Sequence, residues 1–537
     1  MRWDFWNNPL VVSAFRVRTR RVNPVWALTL YLMVLVSIGA GIYFYSLRAP
    51  AAQANWPWPR IYLGVIFGTQ LAVSCFGALQ STHTSMRREV TTRTLDFQRT
   101  TGLSPREILW GKLLGEPAWA YLLAMASVPL GVFCWSLGAT TLPVLLLMYV
   151  SVMASSLLVG AIGLMQPLEI KGDASAAKNS SAAGVLALFG FGMYAMFGMT
   201  AGALQTNNQL LAAVPGLWTP LLAVVGVTRG TPWEYYFDFF GIQIPYLFVT
   251  PVVQLTLVML ILRAMQRQLV FPLLPTLSKG ETYAILAGFD VRVAAMIYHE
   301  AVALGSLQAQ LATFAAIHLV ASVLMIWTTT PNRECLVSWV WRFQGRRPAV
   351  ADALFGERSS NSTATVGYAV VGLAFAVALV MAPNVGRMPG DWSTAGPQSA
   401  AILATMALLI LSFGSTHQWS VLAAPTGGWM LPIIIFLVLL LPTFIAGAYY
   451  ESDPVLSTTP LAHFVNWISP ARDLWWSPIP LIYGGLWLAT LKRTRTSLAR
   501  GRANVDSTLA AMGVGQNAEN ATPEAISSAV PASTSGQ

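Results

Sequence analysis

The sequence predicts an all-α polytopic membrane protein, on three observations. Of 537 residues, 55% are apolar and only 10% are charged, about half the charged share of a soluble domain. Apolar runs of bilayer-crossing length, roughly 20 residues, recur from end to end. The basic residues gather in a few of the segments between those runs.

The runs lie at 25–47, 61–80, 117–137, 142–166, 182–204, 241–262, 303–328, 365–383, 399–416, 428–449 and 474–491. The first, VWALTLYLMVLVSIGAGIYFYSL, carries no charge. Its 23 residues exceed a signal-peptide core of roughly 7–15, and a basic arm precedes it, so it is expected to be a retained span. Of 32 Lys and Arg, 27 fall in segments 1–24, 81–112, 167–181, 263–302, 331–360 and 492–502. Arg48, Arg60, Arg229, Arg387 and Arg472 are scattered singly elsewhere. The positive-inside bias therefore puts both termini and the Arg-rich loops in the cytoplasm. It also accounts for the net charge of +10 without any nucleic-acid partner. Trp and Tyr near span ends read as an interfacial belt. Cys75, Cys134 and Cys335 have neither disulfide nor metal-ligand spacing. Residues 499–537 are rich in Ala, Ser, Thr, Asn and Gly and are expected to be a disordered tail.

Between the second and third runs lies RTTGLSPREILWGKLLGE (99–116). A phosphate-binding loop requires G-x-x-x-x-G-K-[ST]. Here eight residues separate Gly102 from Gly111, and Leu113 follows Lys112 where a hydroxyl is needed. Ser104-Pro105-Arg106-Glu107 instead has the form of a capping box, with Pro at the first helical position. A helix is thus expected from Pro105 into the span at 117–137, after a shorter charged helix within Arg88–Arg99. Lys112 reads as a charged anchor at the membrane surface.

The stretch Arg88–Lys112 resembles the cytoplasmic signature of permeases of the ABC type-2 (exporter-like) family. The match is carried by Glu89, Thr94-Leu95, Thr101, Leu103-Ser104, Glu107-Ile108 and Gly111-Lys112. Gln98 and Arg99 stand where apolar residues are usual, and Arg93 where glycine commonly precedes the Thr. The resemblance implies a coupling helix that docks on separate ATPase subunits, two of them. ATP would then be bound by the partner and no cofactor by this chain. Arg88, Glu89, Thr94, Leu95, Phe97, Thr101, Gly102, Leu103, Ser104, Glu107, Gly111 and Lys112 would form that coupling segment. Additional permease or accessory subunits are compatible with the resemblance, and the bilayer is the other partner.

Such permeases usually have six spans, so a chain of twice that length suggests two degenerate six-span halves, 1–267 and 268–498. Gly356 follows Glu334 at the interval that separates Gly111 from Glu89. Arg333, Glu334, Phe343, Gly345, Pro348 and Gly356 would be a degenerate second coupling segment. Loops 205–240 and 450–473, both rich in Trp and Pro, would be re-entrant or interfacial elements of the outer face. Twelve spans require 281–302 to cross although it carries Asp290, Arg292, His299 and Glu300. Such charges cost roughly 2.5–3.5 kcal/mol each at a helix centre. Without that crossing the count is eleven, or 208–228 crosses instead. Those four residues and His318 form a candidate intramembrane polar site; lone polar residues such as Gln70, Gln254 and His318 otherwise serve interhelical hydrogen bonds. The expected function is a non-enzymatic permease subunit, for export, in a bacterial inner membrane. A lipid-modifying membrane enzyme, or a scaffold that recruits an ATPase, is the alternative.

Overall fold

The computed structural model describes residues 10–13, 16, 24–48, 57–100, 103–169, 221–230, 236–239, 242–271, 274–299, 307–331, 335–336, 339, 349–381, 392–423, 484–497, 499 and 503. They are mostly helical and fall into two compact units. The first comprises Met1–Pro272, Phe289–Gly305 and Leu379–Arg387; the second comprises Leu273–Gly288, Ser306–Ala378 and Met388–Gln537. Among the described residues, six segments are long and apolar enough to cross a membrane: Val25–Arg48, Trp58–Thr91, Ala118–Ser136, Leu142–Met165, Tyr246–Val270 and Asn361–Met381. Several such helices mark a helical membrane protein, because a helix satisfies its own backbone polar groups in lipid. The runs at 182–204 and 428–449 lie outside the described residues, as do most of the loop at 205–240, the whole loop at 450–473 and nearly all of the tail.

In the first unit, α1 (Pro24–Arg48) leaves Trp26, Leu30, Met33, Phe44 and Leu47 exposed, as a lipid-facing helix must. Helix α2 (Trp58–Thr91) starts at Pro57 and runs without a break past its apolar stretch through Arg88 and Glu89. Arg88–Thr91 therefore continues the span. Only α3 (Thr94–Thr100) is a separate short helix, reached by a left-handed turn at Arg93, φ 57°.

Helix α4 (Pro105–Gly115) stops before Pro117 rather than entering the next span. The span itself is broken into α5 (Ala118–Ala126) and α6 (Val128–Ser136). Pro129, with no N–H to give, explains the break at Ser127. Gln70 closes it from α2: its Nε2 donates to the Ala124 carbonyl at 3.2 Å and to Ser127 Oγ at 2.7 Å.

Helix α7 (Leu142–Glu169) packs along α2 and runs in the same direction. Phe67 meets Tyr149 at 4.9 Å between ring centroids. Further along, Ser156 Oγ donates to the Ser74 carbonyl at 3.0 Å, and Gly163 lies against Thr82 and the Leu79 carbonyl. Two parallel neighbours require a returning segment between them, and α5–α6 is that segment. Helix α8 has nine described residues, Leu221–Arg229, about 14 Å at 1.5 Å each; residues 208–220 of the alternative crossing lie outside the described residues.

One short hairpin interrupts the helices. Strands β1 (Tyr236–Phe239) and β2 (Ile242–Pro245) pair antiparallel, with Tyr236 opposite Pro245 and Phe239 opposite Ile242. The span expected from 241 thus starts as α9 at Tyr246 and runs to Val270.

The second unit holds the start of α10 (Lys279–His299), α11 (Leu307–Thr329) and α12 (Val350–Phe355). It also holds most of α13 (Asn361–Met381), then α14 (Trp392–Ala423) and a helix over 484–497. Helix α11 packs along α14, and Ser415 Oγ meets Thr490 Oγ1 at 2.7 Å. The weak run at 281–302 is helical as α10 but is not among the six crossing candidates.

Candidate functional site

Helices α3 and α4 fold back on the Arg-rich end of the first unit. The capping box at α4 is complete. Ser104 Oγ accepts from Glu107 N at 3.3 Å, and Glu107 Oε2 accepts from Ser104 N and Oγ, both at 2.8 Å. These bonds, the backbone one foremost, hold the Glu107 carboxyl below its ordinary pKa. Two side-chain ties then join α4 to α2. Lys112 Nζ pairs with Glu89 Oε1, and Ser85 Oγ donates to Glu116 Oε1 at 2.7 Å. Each helix contributes residues four apart, one turn, in antiparallel order. Lys112 is only 4% exposed and Glu89 only 13%, so Lys112 is not a surface anchor but an internal strut. Beneath it lie Met86, Leu95, Leu109, Leu113, Leu262 and Met265.

The segment therefore sorts by direction. Leu95, Gly111 and Lys112 face inward, whereas Arg88, Arg93, Thr94, Arg106 and Phe97 are exposed, Phe97 at 70%. Leu103, Ser104 and Glu107 are half-buried, and Thr101 and Gly102 lie outside the described residues. Sequence reading missed Arg106, whose Nε donates to Gln266 Oε1 on α9 at 3.3 Å. It also missed Ser85 and Glu116, whose one-turn offsets from Glu89 and Lys112 were a usable signal.

Of the second coupling segment, Arg333, Glu334, Phe343, Gly345 and Pro348 lie outside the described residues. Helix α12 has no side-chain cap at Ala349 and ends at Gly356, whose N–H donates to the Asp352 carbonyl. Its support comes from α10. Lys279, only 1% exposed, donates to Ser359 Oγ, to the Ser360 carbonyl at 2.9 Å, and at 3.3 Å to the Ala353 carbonyl and Thr363 Oγ1. Tyr283 Oη donates to the Leu354 carbonyl at 3.0 Å. An ammonium near the last carbonyls of a helix is favourably placed. Burial still pushes the Lys279 pKa down to about 7. Helix α10 begins with its own capping box, Ser278 N to Glu281 Oε2 at 3.1 Å and Glu281 N to Ser278 Oγ at 3.2 Å. The S-x-x-E spacing that marked Ser104 is repeated here and was missed.

The residues of the candidate intramembrane site are divided between the two units. His318 belongs to the second unit, where Nε2 meets the Tyr368 carbonyl and Ser322 Oγ, both at 3.2 Å. Its ring stacks on Phe314, centroids 5.8 Å apart. Asp290 and Arg292 lie in the part of α10 assigned to the first unit, Asp290 fully buried. The His299 side chain and Glu300 lie outside the described residues. The second unit has a more continuous polar core. Tyr368 Oη meets Thr282 Oγ1 and Thr329 Oγ1, both at 3.0 Å. Thr329 Oγ1 donates to Asn361 Oδ1 at 3.1 Å, and Asn361 N donates to Gln418 Oε1 at 3.0 Å. In the first unit, Ser155 Oγ donates to Gln254 Oε1 at 3.0 Å, an interhelical bond of the expected kind. No group of three or more His, Cys, Asp and Glu suited to a metal ion occurs among the described residues.

Comparison with family models, curated proteins and solved structures finds no match to this chain.

Proposed function

We propose that this chain is the membrane-spanning permease subunit of an ATP-binding cassette exporter. In this reading it has twelve spans in two degenerate halves, both termini lie in the cytoplasm of a bacterial inner membrane, and two ATPase subunits supply ATP hydrolysis. One observation carries the proposal: a capped helix braced by Lys112–Glu89 supports a short helix whose exposed side chains face away from the bundle. A braced protrusion can pass a push from a partner into α2 and, through Arg106–Gln266, into α9. A solvated connector would not need a buried ion pair. For the second half, α12 with its Lys279 support is the corresponding contact element in this proposal.

The bracing alters how the reading should be tested. Reversing Glu89 would unpair Lys112 and damage the protrusion whatever its role. Reversal of the exposed Arg88 and Arg93 is the cleaner perturbation. With the ATPase and the chain together in sealed vesicles, Arg88→Glu/Arg93→Glu is expected to abolish ATP-dependent flux while insertion and melting stay as in the wild type. Undiminished flux in that variant, or no ATPase co-purifying with the wild type, would refute the proposal.

A further inference from the structure

Thr94–Thr100 occupies the tip of the protrusion, and its height above the membrane limits what it can touch. The apolar run of α2 ends at Gln80, and the helix continues eleven residues to Thr91. At 1.5 Å per residue that is about 16 Å. The interfacial layer beyond the hydrocarbon is only about 5–8 Å deep on each side. With the hydrocarbon edge at Gln80 and α2 along the bilayer normal, the tip stands clear of lipid headgroups, where an exposed Phe gains nothing from a bilayer. Phe97 is nevertheless 70% exposed, while Leu95 of the same helix is buried and anchors it to the bundle.

The charge around this Phe is mainly positive. Residues 87–107 hold five arginines against Glu89, Asp96 and Glu107; Glu89 is already paired with Lys112 and Glu107 is tied into the capping box. Arg88 and Arg93 are exposed, and the left-handed turn at Arg93 sets them at the entrance to α3. Aromatic side chains flanked by Arg are the residue types that dominate protein–protein contacts.

Resting on the permease reading above, we propose that Phe97 is the anchor of the ATPase contact. It enters an apolar pocket on that soluble subunit, and carboxylates on the pocket rim pair with Arg88 and Arg93. The inward residues of the segment hold the anchor in place and make no contact with the partner.

The test uses the full chain in nanodiscs and the ATPase that co-purifies with it, with binding followed by interferometry. Phe97→Ala is expected to weaken binding about thirty-fold or more, the scale of an anchor residue, and Phe97→Leu to recover most of it. Arg88→Glu/Arg93→Glu should weaken binding too, and added salt should weaken the wild type more than that variant. A benzophenone side chain at position 97, illuminated in native membranes, is expected to mark an ATPase peptide that carries Asp or Glu beside apolar residues. Attachment to lipid, or to an ATPase surface without carboxylates, overturns the inference. So does wild-type affinity in both variants, which leaves the permease reading standing. A wild-type chain that co-purifies with no ATPase removes that reading and the inference with it.

Discussion

Replacing Lys112 by Met should loosen the protrusion while leaving the spans in place. The Lys112 side chain is 4% exposed and its partner Glu89 13%. Removing the ammonium strands a nearly buried carboxylate whose second oxygen, Oε2, has no hydrogen-bond partner among the described residues. Breaking a buried pair from one side costs about 3–5 kcal/mol. The remaining exposure of Glu89 lets water recover part of that, so about 3 kcal/mol is expected. At 1.4 kcal/mol per tenfold, amides of α4 should exchange with deuterium about a hundred-fold faster. Those of α7 should not change. The double variant Glu89→Gln/Lys112→Met removes both charges together and should recover most of the protection, giving a coupling of about 2–3 kcal/mol in a double-mutant cycle. Exchange in Lys112→Met within about three-fold of wild type would refute the argument that this pair braces α4, a change of only about 0.6 kcal/mol. Additive single substitutions would refute it equally.

Three further outcomes follow from local geometry. Ser104→Ala removes the acceptor for Glu107 N and should cost about 1 kcal/mol at the first turn of α4, read as faster exchange of the Glu107 and Ile108 amides. Gly163→Val would drive a side chain into Thr82 and the Leu79 carbonyl, separating α7 from α2 at about 1–3 kcal/mol. Its melting midpoint in detergent should fall, whereas Gly68→Ala, with nothing among the described residues to meet the added carbon, should melt as the wild type does. Lys279 gives a pH signature. Its folded pKa lies at about 7, below the ordinary 10.5, so between those values the unfolded chain binds a proton that the folded chain does not. Stability should therefore fall as pH drops from 10.5 to 7, then level off. Lys279→Met should flatten the slope, measured as the difference between the two melting curves across that range; an unchanged slope would contradict it.

The features legible from sequence alone depend on neighbours in the chain. The apolar runs among the described residues appear as helices because a stretch of apolar residues can satisfy its backbone in lipid only as a helix or a barrel strand. Ser104–Glu107 folds as a capping box because its two partners are three residues apart, and Ser278–Glu281 was equally readable by the same rule.

Tertiary structure decided what the polar groups do, because the state of a charge depends on what desolvates and pairs it. Lys112 looked like a surface anchor until α4 folded back on α2 and buried it against Glu89. Lys279 finds an oxygen cage 80 residues away at Ser359, a distance at which no spacing rule operates. The third span looked continuous in hydropathy, yet Pro129 divides it and Gln70, 57 residues earlier, repairs the break through Ser127. Composition and local pattern determined that this chain is helical and belongs in a membrane. Packing determined which of its few charged side chains are struts and which remain exposed.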